Sequence, residues 1–146
     1  MKLTVAWIGK TKNPAIQSLA DEYLKRLKQY ADVEGISLKD AAGLLKLSGH
    51  DGRSPRRRLV LLDSRGKQLS SEELAEFVRK HQDTDTPVIF AIGPADGFSE
   101  DLLRQADFTL SIGKMTIAHE LARVVLLEQV YRAFTILKRH PYHLGH

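Results

Sequence analysis

The chain has 146 residues, of which 42% are hydrophobic and 27% charged, an ordinary composition for one globular domain. It contains no cysteine, which excludes disulfides, thiolate metal ligands and cysteine nucleophiles and fits a reducing compartment. The net charge of +4 permits a nucleic-acid partner without requiring one. No apolar run approaches the ~20 residues of a membrane span, and no secretory leader precedes the first strand pattern. We therefore expect a cytoplasmic protein.

The first part of the chain alternates short apolar runs with one amphipathic segment. Leu3–Ile8 is apolar and ends at a glycine, which is typical of a buried strand. Asn13 followed by Pro14 predicts a helix start, and apolar residues at three- and four-residue steps extend that helix over residues 14–30. Its outer face carries lysines and an arginine, which favours a solvated surface over an RNA contact. Val33–Leu38 is the second predicted strand.

Residues 39–58 form the least regular part of the sequence, because glycine, serine and proline interrupt it repeatedly. We predict no more than one turn of helix there, at Leu44–Leu47. The segment also carries the arginines Arg53, Arg56, Arg57 and Arg58. Guanidinium groups pair well with phosphates, so this segment is a candidate for phosphate contacts, and a solvated linker is the equal alternative.

The remainder of the chain continues the alternation of strands and helices. Predicted strands cover Leu59–Leu62, Val88–Ile92 and Phe108–Ser111, and predicted helices begin at Ser70 or Ser71, at Ser99 and at His119. The last helix is the longest and runs to Lys138. This alternation predicts an α/β fold with a mostly parallel sheet flanked by helices, in one domain over residues 1–146.

Three predicted loops follow strands at the carboxyl edge of such a sheet, where ligands of α/β folds bind. They are Asp63–Gly66, Gly93–Gly97 and Ile112–Ile117, and they contain glycines that let a ligand approach the backbone closely. None carries the G-x-G-x-x-G or G-x-x-x-x-G-K-[ST] pattern of nucleotide phosphate binding. The loops therefore indicate a ligand site, and they disfavour a nucleotide-dependent enzyme of another kind.

The last predicted helix is apolar on every side from Leu121 to Leu127 except at Arg123. A helix that is apolar all round is normally buried all round, so we expect a second copy of the chain to cover one side. Arg123 would then lie buried and need an anionic or acceptor-rich partner. Alternatively, Arg123 has a purely structural role and pairs with Glu120 or with Glu128 of the partner subunit. Within the helix, Glu128 and Arg132 are four residues apart and are spaced to pair with each other.

Several motifs resemble one known family over essentially the whole chain. They are Met1-Lys2-Leu3, Leu62-Asp63 with Gly66-Lys67, the glycine loop 93–97, Ser111 with Lys114-Met115-Thr116, His119, Arg123-Val124, Glu128 to Ala133, and the closing His140-Pro141-Tyr142-His143. The chain is similar to ribosomal large subunit methyltransferase H, a small SPOUT-class family that methylates N3 of a pseudouridine in large-subunit (23S) rRNA. The block from Lys114 to His143 is the most specific part of the likeness.

The resemblance implies a fold, a cofactor and partners. Members fold as an α/β domain whose C-terminal part, here about residues 88–146, forms a trefoil knot, a topology that general rules would not predict. They are homodimers that act on the assembled ribosome rather than on free rRNA. S-adenosylmethionine binds in the knot loops. By position, its contacts fall at Leu62, Gly93, Ile112, Gly113, Lys114, Met115, Thr116 and Ile117.

The closing tail is the predicted source of the chemistry. We predict that His143 is the base or orienting group for the N3 proton, that Tyr142 stacks on or hydrogen-bonds the nucleoside, and that Arg123 binds substrate or stabilises charge. Tyr142 could instead simply fill the dimer interface. The spacing of His140, His143 and His146 also suits a metal, but a proline breaks a helix there and no carboxylate is near, so we predict no metal site.

The sequence departs from the family in three places. Its glycine loop begins Gly93-Pro94 where Gly-Gly is usual, Ala118 stands where a proline is common, and the segment 39–58 is shorter and more broken. No family role therefore transfers to the arginines of that segment. The competing hypothesis is a ribosome-binding factor that kept the fold and lost the chemistry, and cofactor binding would argue against it.

Overall fold

A computed structural model describes residues 1–53 and 55–145 of the chain. The strands are β1 (Lys2–Ile8), β2 (Asp32–Leu38), β3 (Arg58–Gln68), β4 (Val88–Ile92) and β5 (Phe108–Ser111). The helices are α1 (Pro14–Leu27), α2 (Ala41–Ser48), α3 (Ser71–Asp83), α4 (Glu100–Gln105) and α5 (His119–Leu137), followed by a 3-10 helix at Pro141–Gly145. None of the described helices is both long and apolar enough to cross a bilayer.

All neighbouring strands pair in parallel, in the order β2-β1-β4-β3-β5. β4 lies at the centre and is buried along its whole length, as expected for a parallel strand covered on both faces. The predicted class, an α/β fold with a parallel sheet flanked by helices, is confirmed. Since the strands run in one direction, the carboxyl ends of β3, β4 and β5 meet at one edge and their amino ends meet at the other.

The helices cover both faces of the sheet and create two apolar cores. One core joins α1, α3 and α5 to the sheet through side chains such as Leu27, Val78 and Phe134. The other joins α2 and α4 to the opposite face through Leu44 and Leu102. The chain is therefore a three-layer α/β/α domain, in which the loops at the two sheet edges are left free to bind ligands.

Helix α2 corrects the sequence prediction of at most one turn near Leu44. It spans eight residues and is closed at both ends. The Asp40 carboxylate accepts a hydrogen bond from the Gly43 N–H at 3.0 Å, and Gly49 adopts a left-handed φ of 76° at the C-cap. In the sequence Gly49 looks like an interruption, but in the structure it is the C-cap that ends a regular helix.

Strand β3 also extends further than predicted. Its pairing with β5 shifts between Leu62 and Lys67, so the segment 63–66 is an irregular part of a long strand rather than a terminal loop. At Gly66 the backbone of β5 lies so close that a Cβ atom would stand 2.5 Å from the Thr109 carbonyl oxygen. Only glycine allows the two backbones to come this close. Gly66 therefore lets β3 continue beside β5 instead of ending it.

Helix α5 packs against α1 and α3, and its buried residues include Ala122, Leu126, Val130 and Phe134. The side of α5 that bears Leu121 is not covered by the described chain, because this side chain is 47% exposed. The tail after α5 folds back as a short 3-10 helix that contacts α5. The C-terminal elements are thus held on the same face of the sheet as α1 and α3.

Candidate active site

A cleft of about 160 Å³ opens at the carboxyl ends of β3, β4 and β5. We call it the carboxyl-edge pocket. Its walls are formed by Leu62, Asp63, Ser64, Ile92, Gly93, Pro94, Ala95, Gly97, Ile112, Gly113, Met115, Thr116, Ile117, His119 and Ala122. The three segments predicted from sequence to face a ligand thus meet in one cleft, and the first turn of α5 closes it.

The glycine loop after β4 forms one wall of the pocket and is folded tightly on itself. The Gly97 N–H donates to the Pro94 carbonyl at 2.9 Å, and Gly97 has a left-handed φ of 79°. A Cβ atom at Gly93 would lie 3.3 Å from the Gly97 carbonyl carbon and 3.4 Å from the Phe98 ring. The loop therefore leaves no spare room at Gly93, and its wall is largely backbone.

The segment after β5 forms the facing wall and is shaped by one serine. The Ser111 hydroxyl donates to the Gly113 carbonyl at 2.9 Å and accepts from the Gly113 N–H at 3.1 Å. Gly113 has a φ of 147°, which few other residues adopt. Within the described residues, the peptide groups of Lys114, Met115 and Thr116 form no hydrogen bond, so they are available to a ligand.

An arginine ties the third wall to the glycine loop. Arg65 donates from Nε to the Asp63 carboxylate at 2.8 Å and from Nη2 to the Phe98 carbonyl at 3.2 Å, and it also contacts Glu100. The Arg65 guanidinium holds the pKa of the Asp63 carboxyl below its ordinary value, against the opposing effect of burial. Asp63 therefore remains ionised at the pocket wall.

Arg123 lies beneath the pocket and is 1% exposed. Its Nη1 donates to the Thr11 hydroxyl at 2.8 Å and its Nη2 to the Ile8 carbonyl at 3.2 Å, while the guanidinium stands 5.7 Å from the Trp7 ring centre. Burial lowers the pKa of this guanidinium, and the charge of Glu120 opposes the change. The predicted acceptor-rich surroundings are confirmed, with neutral oxygens rather than a carboxylate in direct contact.

The same region ties the loop after β1 to α5. Glu120 accepts from the backbone N–H groups of Lys12 and Asn13 at 2.9 and 3.1 Å. Glu128 instead pairs with Arg132 of the same helix, as their spacing predicted. Arg123 and Glu120 together therefore fix the segment from Ile8 to Asn13 against the first two turns of α5.

The tail begins at the end of α5 that is remote from the pocket and folds back along the helix. α5 has 19 residues, so its length is about 28 Å. The Tyr142 ring packs edge-on against Tyr131 at 4.8 Å, and its hydroxyl donates to Glu128 at 3.4 Å. Burial, a hydrogen bond with Tyr23 and the charge of Glu128 raise the pKa of Tyr142. Nδ1 of His143 is buried and has no partner among the described residues.

The pocket brings together most of the residues predicted to bind a cofactor. Leu62, Gly93, Ile112, Gly113, Met115, Thr116 and Ile117 line it, whereas the Lys114 side chain does not. Arg123, Tyr142 and His143 do not line the pocket of their own chain. Ile92, His119 and Ala122 lie outside the three predicted loops, and Asp63 lies within the first loop but was not assigned to the cofactor, so these four were not predicted as cofactor contacts. His146, the third residue of the metal alternative, lies outside the described residues.

The lining restricts the chemistry of a ligand. Leu62, Ile92, Ile112 and Ile117 offer apolar surface, and the two loops offer free peptide groups. Within the described residues, no lysine or arginine side chain lines the pocket, so it lacks the usual means of binding a phosphate. The pocket suits an organic ligand with a flat apolar part and hydrogen-bonding edges, including a cationic one, because Asp63 is ionised.

Sequence comparison identifies close relatives along the full chain. The family described as "Predicted SPOUT methyltransferase" matches residues 1–143. The "Ribosomal RNA large subunit methyltransferase H" of Koribacter versatilis (strain Ellin345) is 56% identical and covers 100% of both chains. The protein of the same name from Geobacter sulfurreducens is 42% identical over 98% of this chain and 99% of its own.

Solved structures with low sequence identity share the fold. A probable methylase family protein from Haemophilus influenzae Rd KW20 gives a TM-score of 0.59 at 13% identity, covering 96% of this chain and 69% of its own. The SpoU methyltransferase AviRb from Streptomyces viridochromogenes, in complex with AdoMet, gives 0.53 at 14% identity, and the match covers 90% of this chain and 57% of that one. With its fold and its full-length relatives in agreement, the chain belongs to the SPOUT methyltransferase family, among the ribosomal RNA large subunit methyltransferase H proteins.

Proposed function

We propose that this chain is an S-adenosylmethionine-dependent methyltransferase that modifies N3 of a pseudouridine in large-subunit (23S) rRNA, with the assembled ribosome as its substrate. The observation that carries the proposal is the carboxyl-edge pocket, built from the loops after β3, β4 and β5 in a chain 56% identical to a named rRNA methyltransferase. The name of that relative supports the rRNA substrate. The pseudouridine and the ribosome follow from the family resemblance.

The pocket residues fit this cofactor. Leu62, Ile112 and Ile117 would hold its adenine ring between apolar side chains, and the peptide groups of Gly93 and Met115 would bind its polar edges. The ionised Asp63 carboxylate at the wall complements a cation. Bound there, S-adenosylmethionine supplies a methyl group activated by a sulfonium centre, and no metal is needed.

The C-terminal part, about residues 88–146, is proposed to form a trefoil knot within a single domain. In support, β5 is the outermost strand on one side of the sheet, next to β3. Helix α5, which follows β5, nevertheless packs against α1, which connects β1 and β2 on the other side of the sheet. The chain after β5 must therefore turn back across the carboxyl edge. The loops that make this turn are the same loops that line the pocket.

The working unit is proposed to be a homodimer. Leu19 on α1 and Leu121 on α5 are 46% and 47% exposed, although large apolar side chains are normally buried. The tail also stays clear of the pocket of its own chain, because Tyr142 reaches back only to Glu128, which lies about 9 Å along α5 from the pocket-lining Ala122. A second copy covering these helices would bury the leucines and could bring its own tail to the pocket.

The chain's own residues divide the remaining work. His143 is proposed to take or orient the N3 proton, and its buried Nδ1 without a described partner supports this role. Tyr142 is proposed to stack on the nucleoside, or to hydrogen-bond it by exchanging the hydroxyl bond to Glu128 for one to the nucleoside. Arg123, at 1% exposure, is proposed to act through its charge and by positioning the Thr11 loop rather than by touching the base.

The direct test is methyl incorporation from labelled S-adenosylmethionine into ribosomes from a strain that lacks this gene. We expect label in one pseudouridine of large-subunit rRNA, with intact ribosomes labelled faster than free large subunits. Absence of label despite cofactor binding would refute the substrate assignment. Absence of both label and cofactor binding would favour a ribosome-binding factor without catalysis.

Mixed dimers test whether the partner's tail completes the site. One subunit would carry His143→Ala and the other Gly113→Val, which cannot keep the φ of 147°. If tails act across the interface, one site of each mixed dimer has both a normal pocket and a normal tail, so activity returns on mixing. If each tail served its own pocket, mixing the two inactive variants would restore nothing.

A further inference from the structure

A second cleft opens at the opposite edge of the sheet, beside the amino ends of β3, β4 and β5, with a volume of about 440 Å³. We call it the arginine cleft. It is lined by Arg56, Arg57, Arg58, Lys80, His81 and Asp107, together with two threonines that follow α3. The lining side chains come from three separate parts of the chain. The fold therefore gathers basic residues that the sequence shows only in part.

The arginine cleft carries an excess of positive charge. Four permanent cations line it and Asp107 is its only carboxylate among the described residues. The Asp107 carboxylate is already engaged, since it accepts from the Leu59 N–H at 2.8 Å, from His50 Nε2 at 3.1 Å and from Arg56 at 3.1 Å. Asp107 also lies 4.0 Å from Arg58, so it holds the wall together and offsets one of the four cations. The cleft keeps an excess of positive charge.

Arg57 is the cation best placed to bind an external anion. Its backbone is fixed, because its N–H donates to the Ser48 carbonyl at 2.8 Å. Its Nη1 is buried and has no hydrogen-bond partner in the described part of the chain. A buried donor without an acceptor is unfavourable, and an anion in the cleft would remove that cost. Lys80 is likewise in no ion pair with a described residue.

Arg58 is held by a neighbour that brings no charge of its own. His81 Nδ1 lies 2.8 Å from the Phe77 carbonyl and can bond to it only as a donor, so Nε2 accepts from Arg58 Nε at 3.3 Å. The histidine is therefore neutral in this arrangement. It orients the Arg58 guanidinium without reducing the positive charge of the cleft.

The positive surface continues beyond the cleft. A neighbouring depression shares Arg56 and Arg57 and adds Lys2 and Lys46 to its lining. Together the two depressions form a band of cations along the amino edge of the sheet, with Arg57 in both. A single small anion would occupy one point of this band, whereas a chain of phosphates would follow it.

We propose that the arginine cleft binds backbone phosphates of the RNA substrate, at nucleotides other than the one that is methylated. The inference rests on the proposed function for the identity of the RNA. β4 spans the sheet between the two edges with five residues, which is about 16 Å. Guanidinium and threonine hydroxyl groups are suited to phosphate oxygens and read no sequence. The cleft therefore contributes affinity and register, while the pocket contributes the chemistry.

The test compares the binding of four single variants and the wild-type chain to protein-free large-subunit rRNA and to ribosomes, over a range of salt concentrations. Arg57→Ala and Lys80→Ala each remove a cation that has no described ion pair. Arg53→Ala is the matched control, because Arg53 belongs to the same segment but is 76% exposed, pairs with Asp51 and lines neither depression. Arg57→Lys keeps the charge.

We expect Arg57→Ala to weaken RNA binding several-fold and to reduce the slope of log K against log salt by about 0.7 to 1, one phosphate contact. Lys80→Ala should act similarly, and Arg57→Lys should retain the wild-type slope. Arg53→Ala should bind within about two-fold of wild type. In methyl transfer the cleft variants should raise KM for ribosomes with little change in kcat and none in cofactor affinity.

Three results would overturn the inference. One is equal binding by Arg57→Ala, Lys80→Ala and the Arg53→Ala control. A second is a loss seen on ribosomes but not on protein-free rRNA, which would assign the cleft to an acidic protein surface. A third is saturation by millimolar inorganic phosphate without any change in RNA affinity, which would make it a small-anion site. Methyl transfer by the wild type is measured separately from RNA binding. The proposed function could therefore fail while Arg57-dependent RNA binding is observed, or the binding inference could fail while methyl transfer is observed.

Discussion

The carboxyl edge and the amino edge of the sheet carry opposite kinds of surface, although the same three strands, β3, β4 and β5, run from one to the other. At the carboxyl edge, glycines and aliphatic side chains leave a narrow pocket whose polar groups are mainly peptide groups. At the amino edge, Arg56, Arg57, Arg58 and Lys80 surround a wider cleft. The first surface selects by shape and the second by charge. Within one small domain, the sheet thus separates the recognition of a small ligand from the binding of a polyanion.

This difference determines how each edge should respond to change. A pocket built from backbone is sensitive to an added methyl group and insensitive to salt, because its contacts depend on close fit. A cleft built from long cations tolerates small shifts but loses affinity with salt. Variants at the two edges should therefore have separable effects.

The largest expected effect is on the chemistry proposed for the carboxyl edge. His143→Ala should lower the rate of methyl transfer by roughly 100-fold or more, the usual contribution of a general base. Cofactor affinity should change little, because the role proposed for His143 is to take or orient the N3 proton and not to bind the cofactor. His140→Ala is the control for the loss of an imidazole in the tail. Because His140 Nδ1 accepts from the Tyr142 N–H at 3.2 Å, we expect a moderate loss of rate, well short of that of His143→Ala. Near-normal turnover by His143→Ala at saturating cofactor would remove the base assignment.

Asp107→Asn tests the wall of the arginine cleft. The variant loses charged contacts to His50 and Arg56, so we expect the free energy of unfolding to fall by about 1.5 to 3 kcal/mol at pH 7. Asp101→Asn is the control, because Asp101 is 77% exposed and its carboxylate contacts the side chains of Arg104 and Gln105 on the same short helix. Denaturant unfolding measures both. Equal stability of the two variants would contradict a structural role for Asp107.

The pH dependence of the same variant has a definite sign. Burial raises the pKa of Asp107, but the Leu59 N–H, His50 and Arg56 outweigh it, so the pKa lies below its ordinary value. The stabilisation is then fully present above the unfolded-state pKa of about 3.9 and is lost as the pH falls through the lower folded-state value. The difference between wild type and Asp107→Asn should therefore shrink as the pH falls below about pH 4.

The smallest predicted effect concerns two glycines with opposite surroundings. A methyl group at Gly93 would press on the Phe98 ring, so Gly93→Ala should cost about 1 kcal/mol and weaken cofactor binding several-fold. At Gly43, inside α2, the nearest atom to a Cβ is 3.7 Å away, so Gly43→Ala should stabilise the fold by about 0.5 to 1 kcal/mol. Calorimetric titration of the cofactor and thermal unfolding check both variants. The same sign of stability change at both glycines would contradict this account.

Most of the fold could be predicted from sequence, because apolar periodicity and helix caps mark most elements. The boundaries of β1, α3, β4, β5 and α5 agree with the pattern to within a residue or two. α2 was underestimated because Gly43 and Gly49 read as breaks, although the cap at Asp40 and the left-handed Gly49 define a helix. The extension of β3 could not be predicted, since it depends on the close approach of Thr109 to Gly66.

The carboxyl-edge pocket could be predicted better than the arginine cleft, because local sequence patterns mark strand ends but not contacts between distant segments. The pocket loops follow strand ends, and a parallel sheet brings strand ends together, so the strand pattern indicated the three loops. The seven individual lining residues that were assigned to the cofactor came from the family resemblance. The arginine cleft combines Arg57 with Lys80 and Asp107, which lie on elements far apart in sequence. No local pattern marks that association. The separation of the tail from its own pocket was also invisible, because it depends on the length and direction of α5.

Helix α5 is late in sequence but packs against the earliest helix of the fold. Until α5 is in place, the apolar side chains by which α1 and α3 contact it, such as Leu27 and Val78, have no cover. Contacts between such distant segments form slowly, since a long loop must close before they stabilise anything. A partly folded chain therefore exposes apolar surface for longer than a protein whose contacts are mostly local in sequence. The kinetic bottleneck of folding should be the docking of α5, and aggregation competes with that single step.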